Sequence, residues 1–127
     1  MIVNRQDAAA FAEQWIANWN RLDVDRVMSH FADEARFVSP KALRVVGRAE
    51  LNGKAALRAY WEAAARRVRA IHFSLGHVVW DADRRILVVF YEADINGTKT
   101  RACEMMAFDD SGRQIDGEAL YGASAGA

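Results

Sequence analysis

Ile86 to Phe108 reads ILVVFYEADINGTKTRACEMMAF. Two apolar-rich runs flank Asn96-Gly97, a pair that accepts the backbone of a two-residue hairpin turn and is the strongest short-range hairpin signal. On the first arm, alternation puts Leu87, Val89, Tyr91 and Ala93 on one face. On the second arm it groups Ala102, Glu104, Met106 and Phe108. A carboxylate in line with alanine, methionine and phenylalanine is in conflict with its row. Either Glu104 is a surface or interface charge, reached through a bulge that flips the register, or it is held inside a cavity for a purpose. Cys103 alternates with Glu104 and packs as a small apolar residue on the opposite face.

Working outward, DDSG (109–112) is a turn and RQIDGEALYG (113–122) a last strand, followed by a small-residue tail, ASAGA (123–127), expected to fray. Upstream, AIHFSLGHVVW (70–80) is a strand that ends at the turn DADRR. The second half is therefore four antiparallel strands joined by hairpins.

The first half is helical. DAAAFAEQWIANWN (7–20) offers Asp7 as N-cap, with Ala8, Phe11, Trp15, Ile16 and Trp19 at spacings of three and four. RLDVDRVMSHF (21–31) is a second helix, capped by Asp23, with Val24, Val27, Met28 and Phe31 on one face. ARFVSP (35–40), after an acidic turn, is a short strand stopped by Pro40, which has no N–H for a ladder. Lys41 to Gly53 reads as irregular, with a brief strand at Leu43–Val46, and Gly53 serves the turn into a third helix. That helix, KAALRAYWEAAARRV (54–68), aligns Leu57, Tyr60, Trp61, Ala64 and Val68. The expected fold class is α+β: one domain over 1–127, with three helices of the N-terminal half on one face of a curved, mixed or antiparallel sheet. Such a cone leaves a cavity suited to a small, mostly apolar molecule.

The bulk composition narrows the partners. Lys+Arg and Asp+Glu number 17 each, so the net charge is zero, which argues against nucleic acid or an anionic membrane. Arg66, Arg67 and Arg69 read as a solvated helix end. A single cysteine allows no intrachain disulfide and suits a reducing compartment. MIVNRQD lacks a secretory pattern, and the longest apolar run, Ile86–Tyr91, is too short to span a membrane. A cytoplasmic location is the expectation. His30, His72 and His77 show no metal-ligand spacing. GRAELNGKA is one residue too long for a phosphate loop and has Ala55 where the magnesium-binding hydroxyl belongs. No cofactor or metal is expected.

Several segments in order resemble one family across nearly the whole chain: FAEQWIANWNRLDVDRVMSHFADEARFVSP, NGKAALRAYW, ING, and MMAFDDSGR followed by ALYG. The chain resembles the nuclear-transport-factor-2-like superfamily, and within it the SnoaL-like and ketosteroid-isomerase-like group. The resemblance implies a cone-shaped barrel, often dimeric through the outer sheet face, with one buried pocket. In the isomerase branch an aspartate before the proline moves the proton. A tyrosine of the first helix, supported by two more, stabilises the enolate together with a protonated strand acid. Here those positions hold Ser39, Trp15, and Phe31 with Trp61, and only the acid persists in type, as Glu104. A serine hydroxyl without an adjacent base is no general base near neutral pH, and an indole relays no proton chain. The isomerase mechanism is therefore not expected as the family runs it.

The candidate chemistry moves to Glu104, His72 and Tyr91, with Asp116, Glu118 and Tyr121 as further polar groups. If His72 faces inward, a His–Glu pair suits proton abstraction beside a carbonyl, aldol-type cyclisation or hydration. If it faces outward, that pair does not form. The candidate ligand lining is Trp15, Trp19, Phe31, Ser39, Tyr60, Trp61, Val89, Met106 and Tyr121, although aromatic side chains in a small domain mostly fill the core. Three readings remain: an acid–base enzyme on a small carbonyl compound, a binder without turnover, and a dimeric assembly domain with a filled interior.

Overall fold

The computed structural model describes residues 1–125. They form four helices, α1 (Arg5–Asn20), α2 (Val24–Met28), α3 (Pro40–Val46) and α4 (Lys54–Ala65), and six strands, β1 (Phe31–Val38), β2 (Glu50–Asn52), β3 (Ile71–Asp81), β4 (Ile86–Ile95), β5 (Thr98–Phe108) and β6 (Gln114–Ser124). The strands make one sheet in the order β2-β1-β6-β5-β4-β3. Every described pairing is antiparallel except β1 with β6, so the sheet is mixed. None of the described helices is long and apolar enough to cross a membrane.

The hairpin that organises the sequence is present as expected. Asn96 and Gly97 take φ of 53° and 86°, and β4 pairs with β5 without interruption from Ile86↔Ala107 to Ile95↔Thr98. Leu87, Val89, Tyr91 and Ala93 are all buried. So are Glu104, Met106 and Phe108, with Ala102 half-buried in the same row.

The N-terminal half departs from the sequence reading at its boundaries. The N-cap of α1 is Asn4, not Asp7. Asn4 is extended and its Oδ1 accepts the Asp7 N–H at 2.8 Å, while Asp7 Oδ2 accepts the Val3 N–H at 3.0 Å. Asp7 thus supports the cap from the first turn. Helix α2 stops at Met28, and Phe31 opens β1. The acidic segment is strand, not turn: Phe31, Ala35 and Phe37 face inward, Asp33 and Glu34 face solvent, and a register shift between Phe31 and Arg36 takes up the irregularity.

The segment after Pro40 is helical rather than irregular. Ser39 caps α3 through Oγ and Pro40 takes its first position, where a missing N–H costs nothing. Gly47, at φ 82°, ends the helix. The brief strand lies at Glu50–Asn52, not Leu43–Val46. Helix α4 ends at Ala65, because Arg67 and Val68 turn back onto the carbonyls of Ala64 and Ala65. The tail is ordered further than expected: Ser124 pairs with Thr100, and the Ala125 N–H reaches the Lys99 carbonyl. Residues 126–127 of that tail lie outside the described residues.

Two apolar clusters make the core. One gathers Val27, Met28, Phe31, Phe37, Leu57 and Trp61 under α2 and α4. The other gathers Ala8, Ala12, Trp15, Leu87, Val89 and Met106 between α1 and the sheet. Trp19 bridges them, 5.7 Å from Trp61 and 6.4 Å from Phe73 between ring centroids. At its C-terminal end α1 is tied to the sheet edge by Asn20, whose Oδ1 accepts the Phe73 N–H at 2.6 Å and whose Nδ2 donates to the Phe73 carbonyl at 3.1 Å.

Candidate functional site

A cavity of about 90 Å³ lies where the two clusters meet. Apolar walls come from Trp15, Trp19, Phe37, Trp61, Phe73 and Ile95, among others. The polar groups that line it are Ser39, Lys41, Tyr60, Tyr91, Glu104 and Tyr121. The cavity is well below the roughly 300–1,000 Å³ of pockets for drug-sized ligands, so its occupant must be compact.

Sheet register explains how these groups meet. Glu104 on β5 stands between Val89 on β4 and Ala119 on β6. One step along the same face, Ala102 stands between Tyr91 and Tyr121. The two phenols are thus diagonal neighbours of Glu104, from opposite sides. The short side chain of Ala102 lets the two phenols approach each other, and the Tyr91 hydroxyl offsets part of the rise at Tyr121. Tyr60 arrives from α4 and Ser39 from the end of β1, where it is 1% exposed. All three tyrosines of the chain therefore converge on one carboxyl.

Glu104 is 6% exposed. Its shift has one cause: burial disfavours the charged form and pushes the carboxyl up to about 8. No described donor or cation pairs with it to reverse this. At neutral pH it is mainly a neutral acid, able to donate as well as accept. The phenols respond in kind. Burial raises Tyr91 well above its ordinary range, with the Glu104 charge adding to the effect. Burial also raises Tyr60 and Tyr121, and the neighbouring Ser39 hydroxyl offsets part of each shift. The three phenols remain protonated hydrogen-bond donors at physiological pH.

The structure sorts the sequence-derived candidates. Trp15, Trp19, Ser39, Tyr60, Trp61, Tyr91, Glu104 and Tyr121 line the cavity together. Phe31, Val89 and Met106 do not line it. Phe31 packs against Trp61, and Val89 and Met106 are sealed in the cluster between α1 and the sheet. His72 is corrected outright. Its neighbours Ile71 and Phe73 face the cavity, so alternation turns His72 to solvent, opposite Asp94 of β4. No His–Glu pair forms. Asp116 does not reach the cavity either, lying 3.4 Å from Arg36 instead. Nor does Glu118 line it.

Sequence reasoning missed Lys41, Phe37 and Phe73. The signal for Lys41 was available: Pro40 and Gly47 bracket a helix, and reading it would have placed Lys41 on that helix's first turn beside the cavity. The chain also spells G-x-S-x-G at 122–126. That pattern signals a nucleophile only on a strand-to-helix elbow, and Ser124 is an exposed residue within β6.

Residues 12–116 match the model of the SnoaL-like domain family. No curated protein matches. Among solved structures, a SnoaL-like protein of unknown function from Burkholderia thailandensis is 27% identical, with TM-score 0.84 over 97% of this chain and all of that one. An NTF2-like protein of unknown function from Burkholderia xenovorans is 15% identical, with TM-score 0.73 over 97% of this chain and 89% of that one. The epoxide hydrolase/cyclase-like enzyme SalBIII, described in pyran ring formation of the polyether salinomycin, is 20% identical, with TM-score 0.72 over 95% of each chain. The last two show a shared fold.

Proposed function

The chain belongs to the SnoaL-like domain family, and from that premise we propose that it is an acid–base enzyme acting on a compact, mostly apolar carbonyl compound. The observation that carries this reading is the Glu104 carboxyl: buried, unpaired, facing the cavity and flanked by the phenols of Tyr60, Tyr91 and Tyr121. Glu104 in its neutral form donates to the carbonyl oxygen, and the phenols share the charge that develops there. Having given its proton, the same carboxylate takes one back. A group titrating near 8 has both forms within reach at neutral pH, which favours proton transfer. Isomerisation, cyclisation and hydration all fit this scheme. SalBIII, a fold relative described in ring formation, makes cyclisation a natural member of the test panel.

The test compares wild type with Glu104→Gln on a small panel of enones and β-keto compounds. Turnover by wild type, reduced about 10²–10⁴-fold in the variant, supports the assignment. Turnover that survives the substitution overturns it.

Binding without turnover is the second reading, and one observation favours it. Ser39, where the isomerases keep their base, is an N-cap whose Oγ accepts from the Lys41 N–H at 3.2 Å. Wild type that binds the panel but turns none of it over would decide for this reading. A homodimer is proposed with either. The outer sheet face carries His77, Phe90, Cys103 and Leu120 in one continuous row across β3 to β6, with Phe90 36% and Leu120 48% exposed. Light scattering of wild type against Leu120→Lys tests it, and a wild-type monomer ends the proposal.

A further inference from the structure

We infer that the molecule held in this cavity is an organic carboxylate, its charged end met by Lys41 and its second oxygen by Glu104. The inference rests on the cavity reading above and names the substrate class for it.

Lys41 and Glu104 are the two charge-bearing side chains of the lining. Glu104 is in the interior, while Lys41, on the first turn of α3, is half-buried. The Lys41 backbone is fixed. It follows Pro40 at the start of α3, and its N–H is held by Ser39 Oγ at 3.2 Å. From there the side chain crosses the Tyr121 ring, with Nζ 4.4 Å from the centroid. Tyr121 in turn lines the cavity. The ring is the contact that holds the ammonium, and no described Asp or Glu lies within salt-bridge reach of it. Several other cations have carboxylate partners, among them Arg36 with Glu50 and Asp116, Lys54 with Asp33, and Arg58 with Asp25.

Arg44, one turn further along α3, adds a second positive charge. Burial and Arg44 together lower the Lys41 pKa. A cation half out of water, facing another cation and left without a carboxylate, gains from an anion that enters beside it. The cavity supplies the rest of the recognition. Its walls suit a short apolar body, and the Tyr60–Tyr91–Tyr121–Glu104 group suits an oxygen at the far end. A compact oxo acid satisfies both ends at once. A neutral ketone satisfies one.

The test uses two matched pairs, 4-oxopentanoate with its methyl ester and 5-oxohexanoate with its methyl ester, titrated calorimetrically at pH 7 and low salt. Wild type is expected to bind each acid about tenfold or more tightly than its ester. Lys41→Met is expected to erase that preference while leaving ester affinity in place. Lys41→Arg, which keeps the charge, is expected to retain most of the preference. Glu104→Gln is expected to weaken acid and ester alike. Equal binding of acid and ester by wild type, with Glu104→Gln weakening both, overturns the carboxylate inference and leaves the acid–base reading standing. An acid preference that needs Lys41 but ignores Glu104→Gln upholds the carboxylate contact with Lys41 and overturns the contact with Glu104. Acid preference unchanged in Lys41→Met, or no binding of either pair, overturns the inference.

Discussion

The Tyr91 phenol and the Glu104 carboxyl are diagonal neighbours on the cavity face of adjacent strands, because Tyr91 pairs with Ala102 and Glu104 with Val89. This register puts a phenol beside an acid that burial alone holds protonated, and the Glu104 charge adds to the burial that raises Tyr91. The acid and this phenol are therefore mainly neutral together at neutral pH.

The first prediction concerns pH. Glu104 holds its proton up to about 8 when folded, and releases it near the ordinary carboxylate range when unfolded. Between those values unfolding releases a proton, so this group's contribution to stability is full at low pH and falls as pH rises, by about 1.4 kcal/mol per unit, levelling off near 8. Glu104→Gln removes the proton and the slope. Denaturant titrations from pH 4 to 9 are expected to show the variant gaining on wild type by a few kcal/mol toward the alkaline end. Parallel curves would mean that the carboxyl is solvated.

Ser39 separates a structural role from a catalytic one. As the N-cap of α3 it is expected to cost about 1 kcal/mol when replaced by alanine. If proton transfer belongs to Glu104, Ser39→Ala loses less than the roughly 10²–10⁴ in rate that removal of a general base would cost. Thermal melts and turnover on the same preparation check both parts.

Asn20 secures the outer edge of the sheet. Asn20→Ala leaves the Phe73 N–H and carbonyl without the partners they have now, and is expected to destabilise the fold by about 1–3 kcal/mol. Phe73 lines the cavity, so amide exchange at Phe73 should rise more than at residues of β5. Uniform exchange across the sheet would count against a local tether.

Gly76 marks the bulge in β3, between Leu75↔Tyr91 and His77↔Phe90. A Cβ at this position would lie 2.9 Å from the Phe90 carbonyl oxygen, on backbone that cannot swing away. Gly76→Ala is expected to cost about 1–3 kcal/mol and to disturb Tyr91, the next inward residue of β4. Unchanged stability, with unchanged tyrosine near-ultraviolet dichroism, would refute this.

The strand half of the molecule was legible because alternation and one hairpin pair are local signals. They put Glu104 in the same row as Met106 and Phe108, where it lies. The choice between a buried and an exposed Glu104 was not legible, since it depends on an uninterrupted register over the full length of β4 and β5. His72 was undecidable for the same reason, and the inward turn of Phe73 settled it. The errors in the first half have a shared origin. Proline and serine at 39–40 were read as the end of a strand, but they also begin a helix, and Lys41 was lost with that helix. In β1, the pairing with β6, some 80 residues away, overrides the turn-like composition of its acidic residues.

That same pairing orders the folding of the chain in time. Phe37 meets Gly117, and Ser39 is brought to the cavity by the strand that makes this contact. Closing a loop of that length is slow relative to the hairpins β3–β6, which form between sequence neighbours. Glu104 precedes β6 by only ten residues, so the expected order rests on loop length: the hairpins close first and the wall carrying Ser39 and Lys41 closes after them. A ligand that requires both ends of the cavity then recognises only chains that have finished folding, and its binding reports completed folding as well as affinity.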